Sequence, residues 1–416
     1  MTTAQKPLAG ADLCVHCGFC LQACPTYLTL DDENDSPRGR IVLMKGIVGG
    51  LLDVRDEAMT RHLDQCLGCR ACETACPSGV PYGQLLEETR AVVADIAPLS
   101  FTTRAILFVF ARPWLYTLAM GGARLIRGLG ISTLLARLPG RVGIAMATIE
   151  ATRRGPAGTG YPTPAETPQR EGVAVLTGCV MEGLLAPVNR ATERVLKRNG
   201  YELRDAGGQR CCGALHAHAG DREAARELAR VNIAAFEKSG VDFVAVNSAG
   251  CGAAMKEYAH LLSDDSAWHA RASAFSAKVR DVSELLSAAG PAPAGNGPMR
   301  VAIDHPCHLQ HAQRLNAPPA AVMGALTGTS CAELPDASSC CGAAGLYSLQ
   351  NPGLSQRILA PKLANIVAGA PNVVATGNPG CMMHIGGGLV RSGSSIPVRH
   401  PVELLDAAYA SEARST

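Results

Sequence analysis

Apolar residues along this chain keep two different periods. Through residues 40–63 the positions Ile41, Met44, Val48, Leu51 and Leu52 recur near the spacing of one helical face, which predicts a helical connection there. From residue 96 to 149, apolar helical segments are punctuated by Arg104, Arg112, Arg124, Arg127, Arg137 and Arg141 without a single Asp or Glu, and the pattern is expected to break at Pro113 and at Gly121-Gly122. Beyond residue 172 the runs shorten. Apolar runs at 173–176 and 301–303 alternate with helical patterns at 191–198, 221–238 and 354–366, the mark of βα units around a mostly parallel sheet.

This second pattern occurs twice. Cys179, Cys211-Cys212-Gly213 and Cys251 are echoed by Cys307, Cys340-Cys341-Gly342 and Cys381, and the run V-D-F-V-A-V-N-S-A-G-C ending at Cys251 parallels P-N-V-V-A-T-G-N-P-G-C ending at Cys381. The expected architecture is an α+β multidomain chain. Residues 1–95, which hold Cys14, Cys17, Cys20 and Cys24 and the same spacing again at Cys66, Cys69, Cys72 and Cys76, form a helical ferredoxin-like domain, and 96–150 an Arg-rich amphipathic helical segment. Residues 151–172, with Gly155-Pro156, Pro162, Pro164 and Pro168, read as a linker; 173–290 and 299–411 are two duplicated α/β modules, each carrying one CCG triplet. The connector between the modules runs from Gly290 through Pro298.

Composition narrows the function. At 416 residues the chain exceeds one ordinary core. Seventeen cysteines without an N-terminal signal pattern point to a reducing cytoplasm, where thiols hold metals rather than disulfides. A net charge of +2 and no Lys/Arg blocks argue against nucleic acid as a partner. No apolar run is long enough for a transmembrane helix. Within the acid-free segment, Phe101, Phe108, Phe110, Trp114 and Tyr116 cluster although aromatics are 4% of the chain, so it reads as a partner-subunit interface, a membrane-surface element or packing over the N-terminal domain.

The strongest chemical signal is at the N-terminus. Cys14, Cys17, Cys20 and Cys24, followed by Pro25, form a C-x-x-C-x-x-C-x-x-x-C-P run that recurs as Cys66, Cys69, Cys72 and Cys76, followed by Pro77. Soft thiolates at this spacing are the ligand set of two [4Fe-4S] clusters, the fourth cysteine of each run serving the other cluster. Cluster 1 is therefore assigned to Cys14, Cys17, Cys20 and Cys76, and cluster 2 to Cys66, Cys69, Cys72 and Cys24. A zinc ribbon would instead use two separated C-x-x-C pairs. Electron transfer is the first functional inference.

Each module presents four further sulfurs. Cys179, Cys251, Cys307 and Cys381 closely follow apolar runs, at the carboxyl ends of strands where open α/β sheets collect ligands. Cys179, Cys211, Cys212 and Cys251 are expected to converge on one metal, and Cys307, Cys340, Cys341 and Cys381 on another, either iron-sulfur or zinc. His216, His218, His305, His308 and His384 stand nearby as ligand or proton-relay candidates, against the simpler reading that each satisfies backbone hydrogen bonds. His16 is placed to tune cluster 1 rather than bind it. Cys331 is the sulfur left without a task. Neither the glycines of 155–160 nor Gly386-Gly387-Gly388 sits in the strand-to-helix turn of a phosphate loop, and no flavin fingerprint is present.

The eight-cysteine unit followed by two CCG modules resembles the iron-sulfur subunits of bacterial glycolate oxidase. These fall within a wider class with the iron-sulfur subunit of anaerobic glycerol-3-phosphate dehydrogenase and with heterodisulfide reductase subunits. The likeness rests on D-L-C-V-H-C-G-F-C-L-Q-A-C-P-T-Y from Asp12, S-P-R-G-R-I from Ser36 and C-L-G-C-R-A-C-E-T-A-C-P-S-G-V-P-Y-G from Cys66. L-T-G-C-V-M from Leu176, D-H-P-C-H-L-Q-H from Asp304 and the CCG triplets extend it through both modules. The resemblance implies a non-flavin subunit of an oxidoreductase complex that relays electrons from FAD-bearing partners oxidising glycolate toward a quinone-level or other acceptor, in the cytoplasm or peripherally on the inner membrane face. It also implies no catalytic residue on this chain. Heterodisulfide reductase modules carry a fifth cysteine; here that position is Ala254 in the first module and His384 in the second, which weighs against disulfide cleavage.

Overall fold

The computed structural model describes residues 8–155, 160–164 and 166–415. Part of the 155–160 glycine loop therefore lies outside the described residues. In the first module β1 (Gly172–Val175), β2 (Glu202–Leu203), β3 (Phe243–Val246) and β4 (Val279–Asp281) form a parallel sheet in the order β2-β1-β3-β4. The second module repeats this with β5 (Ala294–Ile303), β6 (Leu326–Glu333), β7 (Val373–Ala375) and β8 (Val398–Arg399), again all parallel, in the order β6-β5-β7-β8. Val173, Val244, Val301 and Val374 are buried, as strands covered on both faces require. In both sheets the chain reverses its strand order between the two central strands, a switch point that opens a crevice at their carboxyl ends.

The modules share one apolar core. The helix Ala186–Arg198 of the first packs on the helix Pro401–Ser415 that closes the second, and Arg194 pairs with Asp406 at 2.6 Å across them. The expected connector is shorter than its Pro/Gly content suggested. β5 already begins at Ala294, pairing with Leu326, and absorbs the glycines through a register shift between Gly295 and Met299, with Gly297 at φ +74°. Nor do residues 160–172 hang free. Tyr161 packs edge-on against Tyr409 and donates to Asp406, and Gly200 leaves room for the Pro168 carbonyl where a Cβ would come within 2.1 Å.

The N-terminal domain is a cage of short helices. The helical connection predicted for 40–63 is two helices, Pro37–Val48 and Glu57–Asp64, because Gly50 turns at φ +70° and Asp56 caps a fresh start. Ile41, Met44, Met59 and Leu63 face inward while Leu51 is exposed. In the acid-free segment the helices are Phe101–Phe110, Pro113–Gly128, Ile131–Leu135 and Gly140–Glu150. Pro113 opens its helix rather than interrupting one, where its missing N–H costs nothing. Gly121-Gly122 lies inside a continuous helix, since a mid-helix glycine costs only about 1 kcal/mol, and the break falls instead at Gly130, which is left-handed at φ +75°. No single helix among the described residues is long and apolar enough to cross a membrane.

Candidate iron-sulfur sites

The two N-terminal runs fold alike. In each, the second residue between the first pair of cysteines and the first residue between the second pair are left-handed: His16 and Gly18 at φ 56° and 86°, Gly68 and Arg70 at 62° and 63°. These turns wrap three sulfurs about one point. Pro25 then starts the helix Pro25–Leu30, with Cys24 as its N-cap. The outcome is an exchange of sulfurs between runs. One pocket is lined by Cys14, Cys17, Cys20, Cys72 and Cys76; another is lined by Cys24, Cys66, Cys69 and Cys72, so that Cys72 borders both. Burial raises the Cys24 thiol, and it raises Cys72 further, where neighbouring Cys69, Cys66 and Cys24 add to it. Four sulfurs pressed together in a buried pocket need a cation to be stable as thiolates.

The CCG triplets owe their glycine to backbone geometry. Gly213 and Gly342 are left-handed at φ 82° and 84°, and a Cβ on Gly342 would meet the Ser355 carbonyl at 2.7 Å. The turn presents both preceding cysteines to one side. Cys179, N-cap of Val180–Leu184 after β1, and Cys251, in the first turn of Ala249–Lys256 after β3, meet them at the crevice of the first sheet. The Cys179 and Cys211 sulfurs lie 3.5 Å apart, Cys212 bonds both Cys211 and Cys251, and hydrogen bonds from Cys179 and then Cys212 hold Cys211 well below the usual thiol range. The second module brings the equivalent four cysteines together, but its close pair and its depressed thiol involve the second CCG cysteine instead of the first. Cys341 and Cys381 are 3.2 Å apart, Cys340 bonds Cys307 and Cys341, and hydrogen bonds from Cys340 and Cys381 depress Cys341.

The two four-sulfur sets face different neighbours. Cys340 packs beside Cys69, so the second set abuts the cluster 2 ligands within one apolar patch with Leu67, Ala71, Tyr347 and Ile358. The first set lies beneath Phe110 and Tyr116 of the Arg-rich helices. Asn378 links the sets: its Oδ1 accepts from the Gly250 N–H beside Cys251, and its Nδ2 donates to the Cys381 sulfur at 3.6 Å. Sequence spacing carried no sign of the Cys69–Cys340 contact or of the Asn378 bridge.

The histidines are mostly engaged elsewhere. His216 Nε2 meets the Leu107 carbonyl at 3.1 Å, His218 pairs with Glu87 at 2.7 Å, His305 with Glu333 at 3.1 Å, and His384 Nε2 with Ser355 Oγ at 3.0 Å. His308 Nδ1 lies 3.5 Å from the Cys307 sulfur, and burial, with the charges of His218 and Arg70, pushes its pKa down to about 3. His16 is exposed, and its carbonyl accepts from Arg38. Cys331 stands in β6, apart from every set. The glycines 386–388 turn out to be packing residues: a Cβ on Gly387 would reach the Thr148 nitrogen at 3.1 Å, so the triplet lets the helix Gly140–Glu150 approach Pro379–Arg391.

The donor chemistry fits iron-sulfur clusters. All seventeen cysteines are free thiols, and the buried Tyr347 hydroxyl, which senses the charge of Cys66 and Cys340, has no hydrogen-bond partner. A cluster sulfur there would satisfy it. Residues 10–80 match the family model of a 4Fe-4S dicluster domain, and residues 173–256 and 301–386 each match that of a cysteine-rich domain named for CCG. The probable glycolate oxidase iron-sulfur subunit of Bacillus subtilis is 37% identical, over 94% of this chain and 92% of its own length. The glycolate oxidase iron-sulfur subunit of Escherichia coli is 34% identical, over 96% and 94%. This chain belongs to the family of glycolate oxidase iron-sulfur subunits. As a member it carries two [4Fe-4S] clusters, is a non-flavin subunit of an oxidoreductase and has an electron-transfer role. Lactate utilization protein A of Exiguobacterium is a more distant relative, 28% identical over 56% of this chain.

Proposed function

We propose that this subunit accepts electrons from flavin-bearing partners that oxidise glycolate and passes them toward a quinone-level acceptor. Oxidation of glycolate to glyoxylate releases two electrons and two protons, and the sequence offers no flavin fingerprint to take them as a hydride. When bound, the clusters supply one-electron uptake and release. The chain's own part is to hold them: Cys14, Cys17, Cys20 and Cys76 for one, Cys24, Cys66, Cys69 and Cys72 for the other. Cys179, Cys211, Cys212 and Cys251, and likewise Cys307, Cys340, Cys341 and Cys381, are proposed to hold a further iron-sulfur cluster or zinc. The observation that carries this reading is the pair of thiol-lined pockets, each taking sulfurs from both runs, one of them packed against the second CCG set.

Docking is assigned to the acid-free helices. Phe101, Trp114, Leu118, Leu125, Leu129 and Leu134 are exposed there, and among the described residues the helix Pro113–Gly128 buries no side chain fully. An apolar face edged by arginines suits a flavin-bearing subunit, or an anionic lipid surface on the inner face of the membrane.

The test is anaerobic purification with and without the partner subunits. Glycolate should bleach the iron-sulfur absorbance rapidly in the assembled complex and leave the isolated subunit unchanged. Equal bleaching of the isolated chain would contradict the relay role.

A further inference from the structure

Among the described residues, Arg40 is the bulkiest side chain with no exposed surface. It stands in the S-P-R-G-R-I segment, to which no ligand role is attached. Its helix, Pro37–Val48, drives the guanidinium into the wall of the pocket formed by Cys24, Cys66, Cys69 and Cys72. All three nitrogens are fixed. Nη1 donates to Thr26 Oγ1 at 2.9 Å and to the Asp35 carbonyl, and lies 4.0 Å from the Cys24 sulfur; Nη2 donates to Asp35 Oδ1 at 2.9 Å, and Nε to the His62 carbonyl at 2.6 Å. A guanidinium keeps its charge throughout the physiological pH range, and the Asp35 carboxylate bonded to it balances part of that charge.

Burying an arginine merely to fill space is unfavourable, and a methionine of similar volume would do that better. What the guanidinium adds is a fixed positive charge beside two sulfurs, one from each cysteine run. A thiolate-ligated cubane gains a negative charge on reduction, and burial disfavours that more negative form. A cation held close in a low dielectric has the opposite effect. Among the described residues the other pocket has no such group: Arg38, the arginine that lines it, is part-exposed and bound to the solvent-facing Glu33, and Cys17 is itself exposed.

We propose that Arg40 is a positioning residue that raises the reduction potential of the centre held by Cys24, Cys66, Cys69 and Cys72, offsetting the effect of burial and keeping that centre reducible. Asp35 anchors the guanidinium and moderates its charge. This rests on the assignment of those four cysteines to one cluster.

The test uses the full chain with its partner subunits, titrated potentiometrically under argon while the paramagnetic signals of the reduced centres are followed. Arg40→Met should move the midpoint of one centre to lower potential and leave the other in place, whereas Arg40→Lys should retain most of the wild-type value. Asp35→Asn, which keeps the acceptor oxygen but removes its charge, should move the same centre upward. Fewer than two reducible centres in the wild-type chain would overturn the cluster assignment itself. Two centres with unmoved midpoints in Arg40→Met and Asp35→Asn, or equal shifts in Arg40→Lys and Arg40→Met, would overturn the role of Arg40 alone. If Arg40→Met fails to retain iron, the sign of the Asp35→Asn shift decides, and a downward or absent shift refutes the proposal.

Discussion

At the scale of single residues, cysteine and glycine divide the work. Cysteine supplies the donor, and glycine decides where the donor points. Gly18, Gly68, Gly213 and Gly342 all take left-handed backbone conformations beside a cysteine, where a side chain would be strained or would collide. The eight N-terminal ligand candidates were legible from spacing because the run itself encodes the loop. Cys69 illustrates what spacing leaves out. It lines the cluster 2 pocket and also packs beside Cys340 from the second module. Replacing Cys69 by serine is therefore expected to abolish glycolate-driven electron flow, lower iron content and loosen the contact with the second module. Metal analysis, dye-reduction assays and limited proteolysis would check this, and retained turnover with full iron would count against the assignment.

At the scale of elements, the βα alternation and its duplication were plain in the apolar pattern, but the Arg-rich segment was not. Pro113 and Gly121-Gly122 look like breaks in a linear reading. Pro113 instead starts a helix, and Gly121-Gly122 stays helical, since glycine inside a helix costs only about 1 kcal/mol and the helix runs on through both. The pattern also could not say which arginines face water. Arg104, Arg112, Arg124, Arg137 and Arg141 are exposed, Arg112 lying over the Phe108 ring at 3.5 Å, while Arg127 turns inward to Thr152. Changing Arg112 and Arg124 together to glutamate should leave iron content unchanged while weakening complex assembly or sedimentation with anionic vesicles. Assembly is read by size-exclusion chromatography, and whichever assay responds identifies what covers the face. No change in either would leave the docking assignment without support.

At the scale of the whole molecule, stability is tied to the seam between the modules. His400, which precedes the last helix of the second module, is buried, its Nδ1 accepts from the Val402 N–H at 3.1 Å, and its ring faces the backbone of Asn247 just after β3 of the first. Burial pushes its pKa down to about 3 from the ordinary 6.5. The unfolded chain therefore binds a proton that the folded one refuses. Stability from this site is complete above about pH 6.5 and declines as the pH falls toward 3, at roughly 1.4 kcal/mol per unit. His400→Gln should flatten the difference in chemical-denaturation midpoint between pH 7 and pH 5.5, and an unchanged pH slope would show that the seam does not sense this proton. Ligand chemistry, duplication and parallel sheets were all readable along the chain, because each is written in local spacing or periodicity. Tertiary packing alone brings the second CCG set against cluster 2 and leaves the first under the Arg-rich helices. It also buries Arg40 against Cys24 and Cys66. Both depend on contacts between segments far apart along the chain, and a linear pattern carries no record of which distant surfaces will meet.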